Sequence, residues 1–239
     1  MINKQRIILE RFLCSILLIL PTVTAQGIFS ETPVDIPTVV FTFVSLVIGI
    51  YFCFLSQYSY RVTTVLASGV MWGLVAFICV KETNHIQDLG ILFPSVFGSA
   101  LLGGFIWIYF RKLARIPLGC LGGITLGFSL LSVREGFLIQ NHIIAQVFVA
   151  VLALVGLISV YFVKKYTFIF HSAMLGSYMT ILPLDELIGV GFKSHLAYYW
   201  SGSSALVYAP TGKIYAMIGG LFGLVIVSAL FQLYTYRPQ

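Results

Sequence analysis

Past residue 35, seven predominantly apolar stretches of this chain run for 18 or more residues without a charged side chain: 36–60, 62–80, 89–110, 116–133, 136–163, 166–184 and 214–236. A helix rises about 1.5 Å per residue, so each run reaches across a hydrocarbon layer about 30 Å thick. Strands of a membrane barrel would be about ten residues long and alternate polar with apolar. These runs do not alternate. Inside a bilayer no water satisfies backbone N–H and C=O groups, so each run must close its own hydrogen bonds as a helix. The expected fold is all-α and integral to a membrane: a seven-transmembrane helical bundle over 36–236, with the lipid bilayer as its first partner.

Charge density agrees. Lys and Arg number 14 and Asp and Glu 8, together 9 % of 239 residues, against about 25 % in a soluble domain. A soluble globule and a disordered tail are thereby excluded. The net charge of +6 is no nucleic-acid footprint, because the bases stand singly or in twos and threes between apolar runs.

The first 25 residues read as a cleavable secretory signal. Lys4, Arg6 and Arg11 form a basic start, Phe12 to Leu20 a short apolar core, and Pro21 precedes the small-residue site ending at Ala25. The expected organisation is a signal at 1–25, a short lumenal or extracellular segment at 26–35, the membrane domain at 36–236 and a cytosolic tail at 237–239. Turn charges set the direction. One side holds Arg61, Arg111, Lys112, Arg115, Lys164, Lys165 and Arg237 with no acid. The other holds Lys81, Arg134, Lys193 and Lys213 together with Glu31, Asp35, Glu82, Asp88 and Glu135. Positive residues collect on the cytosolic side, so the N-terminus is expected outside and the C-terminus in the cytosol, in the plasma membrane or an endomembrane. The long outer connection, 189–212, carries Tyr198, Tyr199 and Trp200, residues that settle at membrane interfaces.

Small residues recur at four-residue spacing: Gly119, Gly123 and Gly127; Gly69 and Gly73; Ser172 and Gly176; Ala216 and Gly220; Gly219 and Gly223. In lipid such ridges let backbones approach closely, so a tightly packed bundle is expected, with internal packing the commoner use and self-association the other. A repeat accompanies them. Gly69 and Gly73 follow Arg61 by eight and twelve residues, Gly123 and Gly127 follow Arg115 likewise, and Ser172 and Gly176 follow Lys164 likewise. This spacing predicts three tandem helical hairpins, 1–2, 3–4 and 5–6, with helix 7 closing the bundle.

Two blocks carry a resemblance: GSALLGGFIWIYFRKLARIPLGCLGGITLGFSLL at 98–131 and SAMLGSYMTILPLDELIGVGF at 172–192. With Gly103, Gly104, Gly119, Gly123, Gly127, Ser172, Gly176, Tyr178, Asp185, Gly189, Gly191 and Phe192, the chain resembles the family of transmembrane protein 198 and transmembrane-seven superfamily member three. The resemblance covers about 36–236. It implies a seven-helix membrane domain and, from one member, a scaffold role.

Chemistry-bearing motifs are sparse. His85, His142, His171 and His195 do not converge on one site by position, and no GxSxG or HExxH motif occurs. A catalytic zinc needs about three convergent ligands. No enzyme, metal or cofactor is therefore expected. Cys53, Cys79 and Cys120 sit in apolar runs without a CxxC pair, which leaves a disulfide framework without support. The functional reading is a non-enzymatic scaffold or partner-binding membrane protein, with membrane-protein partners and an open oligomeric state. The alternative is a small channel or carrier using His171, Gln146, Asp185 and Glu186, since polar groups at membrane depth mark transport paths and Pro183 interrupts helix 6. Asp185 is expected either to face the bundle with a basic or amide-bearing partner, Arg134 ahead of Lys81, Lys193 and Lys213, or to sit at a solvated helix end. Glu186, about 100° further round the helix, is expected to be the more exposed.

Overall fold

The computed structural model describes residues 36–84, 89–109, 115–133, 141–162, 165–192 and 211–235. The expectations for the signal at 1–25, the segment 26–35, His85, Arg134, Lys193, His195, Tyr198–Trp200 and the tail 237–239 lie outside the described residues.

Each charge-free run carries one helix. In chain order these are α1 Ile36–Phe54, α2 Tyr60–Asn84, α3 Leu89–Tyr109, α4 Ile116–Leu131, α5 His142–Phe162, α6 Tyr166–Ile188 and α7 Gly212–Thr235. No strand occurs among the described residues. Local chemistry sets several ends. Pro117 occupies the first turn of α4, where its missing N–H costs nothing. Asn141 Oδ1 accepts the Ile143 N–H at 3.0 Å, an N-cap for α5. Gly189, at φ 69°, ends α6 in the left-handed conformation that glycine adopts without strain. Three segments are long and apolar enough to cross a membrane by length and composition: Ile143–Phe162, Tyr166–Ile188 and Gly212–Thr235. Thr42–Phe54, Pro94–Trp107 and Ile116–Leu131 are shorter apolar stretches.

The closest packings are α2 on α3, α4 on α5 and α6 on α1. This corrects the expected hairpin units. Helices α1 and α2, like α3 and α4, are not close-packed partners, and α5 touches α6 only lightly. The second helix of each hairpin instead packs on the first helix of the next, and the third hairpin returns to the first. The threefold order of the repeat thus survives as a cyclic pairing. The cause lies in the glycines eight and twelve residues past each basic corner. A methyl at Gly69 would sit 3.1 Å from the Ala100 carbonyl on α3, and one at Gly176 would sit 2.6 Å from the Cys53 nitrogen on α1. These ridges face the neighbouring hairpin, not their own.

Helix α6 is the axis. It packs on α1, α4 and α7, and its buried residues run from Phe168 to Asp185 on all sides, as expected of a helix enclosed by others. One apolar cluster joins Phe128 and Leu131 of α4, Ala145 and Val149 of α5, Met174 and Tyr178 of α6, and Ile218 and Leu221 of α7. A second joins Phe52, Ala67, Leu118, Leu121, Phe168 and Leu175, where α1, α2, α4 and α6 meet. Tyr60, Arg115 and Phe168 touch at the starts of α2, α4 and α6, so those three helices begin at one end of the bundle. Arg61 and Lys165 stand exposed at that same end, beside the helix starts.

Helix α7 overturns one expectation. Its Gly219, Gly220 and Gly223 have no atom within 4 Å of where a methyl would stand. The helix instead buries Ile214, Ile218, Leu221, Val225, Ser228 and Gln232, a stripe at three- and four-residue spacing. Side-chain contacts with α6 and α1 turn the small-residue ridge outward. The outer face of α5 is also apolar: Ile143, Val147, Leu154, Val155 and Phe162 are each more than half exposed. A contiguous surface of that kind is typical of contact with lipid or protein, not water.

Candidate functional site

Gly119, Gly123 and Gly127 line the crossing of α4 with α5. A methyl at Gly119 would stand 2.6 Å from the Gly156 carbonyl oxygen, and one at Gly127 would stand 3.2 Å from a Val149 methyl. At Gly123 the added carbon collides with the Leu152 carbonyl and stands 2.8 Å from the Ala153 Cα. Gly156 of α5 completes the crossing from the other side, against Gly119 and Gly123. Gly176 serves the same purpose where α6 crosses α1, against Gly49 and Cys53. All four predicted glycines therefore sit at helix crossings, Gly119, Gly123 and Gly176 directly against backbone and Gly127 against the Val149 side chain. They act on packing and carry no reactive group.

His171 lies on the α6 face that meets α4 and α5 and is 4 % exposed. Its Nε2 lies 3.0 Å from Ser159 Oγ of α5. Its Nδ1 has no hydrogen-bond partner among the described residues. That nitrogen faces Gly122, where a methyl would stand 2.5 Å away, so the imidazole fits only because α4 has a glycine there. Gln146 lies on the exposed face of α5, away from His171.

Asp185 and Glu186 diverge. Asp185 is 3 % exposed, whereas Glu186 is exposed. Asp185 Oδ1 accepts the Gly191 N–H at 2.9 Å, and its carbonyl accepts the Gly189 N–H at 2.7 Å. Gly191 adopts φ 92°, which lets the chain double back. Phe192 is then fully buried and packs edge-on against Tyr178, with ring centroids 6.4 Å apart. The Asp-to-Phe segment is thus a closed exit from α6: the carboxylate holds the turn and the turn returns an aromatic to the core. Of the basic partners considered, Lys213 is exposed; nothing is described of the side chains of Lys81, Arg134 and Lys193. Asp185→Ala removes the acceptor of a charge-assisted hydrogen bond and is expected to cost about 1–3 kcal/mol. Asp185→Asn keeps an acceptor and should recover part of that, while Glu186→Ala should stay within about 0.5 kcal/mol. Melting of the three variants in detergent checks the order.

A buried polar cluster not anticipated above joins α1, α6 and α7. Gln232 of α7 is fully buried. Its amide nitrogen donates to the Phe52 carbonyl at 3.0 Å and the Cys53 carbonyl at 2.7 Å. Its amide oxygen accepts from Ser56 Oγ at 2.9 Å and Ser172 Oγ at 3.0 Å. Ser228 Oγ also donates to the Cys53 carbonyl, at 2.5 Å. Helix α1 ends at Phe54, and the last carbonyls of any helix lack intrahelical partners. Helix α7 supplies those partners. Several other buried hydroxyls bond within their own helices, as Ser129 does to Thr125 O at 2.7 Å and Thr180 to Gly176 O at 2.8 Å. No group of three metal-ligating residues occurs among the described residues.

The TM7S3/TM198-like domain profile matches residues 42–233. Neither the curated proteins nor the solved structures contain a significant match to the chain.

Proposed function

From the premise that the chain belongs to the TM7S3/TM198-like domain family, we propose that it is a multi-pass membrane scaffold that binds partner proteins within the bilayer and catalyses no reaction. All seven helices cross the membrane in this reading. The N-terminus lies outside and the C-terminus in the cytosol. A cysteine placed within 111–115 should therefore react with impermeant reagents only after the cytosolic face is opened; labelling in intact cells would reverse the orientation.

One observation carries the partner-binding role. Elsewhere the small-residue ridges are consumed by crossings inside the chain, yet on α7 Gly219, Gly220 and Gly223 stand open. A helix face that is apolar and nearly flat suits close approach of another membrane helix. The polar groups support the same reading. Asp185 is engaged by the Gly191 backbone and Gln232 by the end of α1, so both hold the structure together.

The test is proximity labelling at native expression level, comparing wild type with Gly219→Leu and Gly223→Leu. The substitutions enter open space, so the variants should melt like wild type while losing a defined subset of neighbouring membrane proteins. An unchanged neighbour set would remove α7 as the binding face. An ion- or proton-dependent flux that is lost in a folded Asp185→Ala or His171→Ala variant would replace the scaffold reading with a carrier.

A further inference from the structure

Beside His171 an open groove of about 370 Å³ runs between α5 and α6, with Gly123 and Leu126 of α4 also in its lining. Its walls include Leu126, Leu152, Val155 and Phe170, with Ser159 and His171 at its floor. The two polar floor residues face each other, Ser159 Oγ 3.0 Å from His171 Nε2, so what remains for an occupant is an apolar trough. Val155 and Phe170 are exposed on its rim. The trough reaches Tyr166 and Thr167, in the first turn of α6.

That end is electropositive. Lys165 is the N-cap residue of α6, and no side chain caps the turn that follows. Its ammonium lies 5.3 Å from the centre of the ring of Tyr166, a residue that lines the trough. A helix start favours negative charge and disfavours a cation, yet α6 has Lys165 there and no acid in its first turn. Lys164 adds a second cation in sequence, and no acid lies between Glu135 and Asp185. An apolar trough ending under a cation and a positive helix end has the shape and charge of one phospholipid: acyl chain along α5, phosphate at the start of α6. We propose that this groove holds a single anionic phospholipid, with its chain between α5 and α6 and its headgroup at Lys165.

The inference rests on the membrane reading above but not on its orientation or on α7, so it can fail alone. The protein, purified from nanodiscs of phosphatidylcholine containing a titrated fraction of phosphatidylserine, is analysed by native mass spectrometry for retained lipid. Wild type should retain one phosphatidylserine per chain in preference to phosphatidylcholine. Lys165→Glu should weaken that retention about tenfold or more, since one cation near a membrane surface is worth roughly a kilocalorie per mole and is here reversed; Lys165→Gln should show a smaller loss. Val155→Trp, which fills the trough from its exposed wall, should lose both lipids. Leu154→Trp, on the outward face of α5, and Arg61→Glu, at the same end of the bundle but off the groove, should bind as wild type. Equal retention of the two lipids by wild type overturns the proposal. So does unchanged binding in both Lys165→Glu and Val155→Trp, or a loss in Val155→Trp alone, which would make the groove a chain-binding surface without charge selection. Displacement of the lipid by millimolar inorganic phosphate would make the site an anion site and overturn it as well.

Discussion

Gly123→Ala is expected to lower the melting temperature of the purified protein, and Gly123→Leu to lower it further, whereas Gly223→Ala should leave it unchanged or raise it slightly. Two effects oppose each other at both positions. Replacing glycine by alanine within a helix gains up to about 1 kcal/mol of backbone preference. At Gly223 nothing stands within 4 Å of the added carbon, so that gain is all there is. At Gly123 the added carbon collides with the Leu152 carbonyl and crowds the Ala153 Cα at 2.8 Å. Those neighbours are backbone and cannot rotate aside, so α4 and α5 must separate. Overpacking costs about 1–3 kcal/mol in cores that relax by moving side chains; a crossing of two backbones relaxes less. A net loss of about 2 kcal/mol for alanine, and more for leucine, is the expected outcome. Thermal melts in one detergent, run beside Gly223→Leu, separate loss of the crossing from a general intolerance of larger residues. If Gly123→Leu and Gly223→Leu melt alike, the crossing is not where the bundle is held.

Helix positions were the most legible part of this chain, because charged side chains fall at the ends of its apolar helices and not in their middles. The run 116–133 became Ile116–Leu131, and the run 214–236 became Gly212–Thr235. Asp185 ends the charge-free run at 184, yet α6 continues to Ile188: a carboxylate that accepts a backbone N–H beyond the helix end does not need to stop it. Pairing was less legible. Spacing from the basic corners picked out residues that lie at helix crossings but not which helix they face, since a ridge has no sequence mark for its partner. The ridge on α7 misled for that reason: Gly219/Gly223 and Ser172/Gly176 share one pattern, and only the bulk and polarity of the opposite face determine which side turns inward. Gln232 was invisible. It is one amide in an apolar run, and its partner Ser56 lies 176 residues away in sequence.

Gln232→Met provides the second large effect. Methionine has nearly the length and flexibility of glutamine, so the volume is kept and only the hydrogen bonds are lost. Ser172 retains a partner in the Ile169 carbonyl at 3.0 Å, and the Cys53 carbonyl retains Ser228. The Phe52 carbonyl loses its amide donor, and Ser56 keeps only Ser172, at 3.0 Å. Each buried group left unsatisfied costs about 1–3 kcal/mol, while measured interhelical hydrogen bonds in membranes average about 0.6 kcal/mol because the alternative state also finds partners. The second figure governs pairs of side chains that can each re-bond. It does not govern a backbone carbonyl at a helix end, which cannot move to another donor without unwinding α1. A loss of about 2–3 kcal/mol is therefore expected, and it should appear as detachment of α7, the helix that supplies the donors. Gln232→Glu should be harsher still, since it places carboxylate oxygens against two carbonyls in place of an amide N–H. Ser228→Ala should cost less alone, because Gln232 still serves Cys53, but more in the Gln232→Met background, where that carbonyl would then lose every side-chain donor. The double-mutant cycle reads this coupling directly. Additive losses would mean that the two side chains act on α1 independently, and that α7 is held by its apolar stripe from Ile214 to Val225 and not by the end of α1.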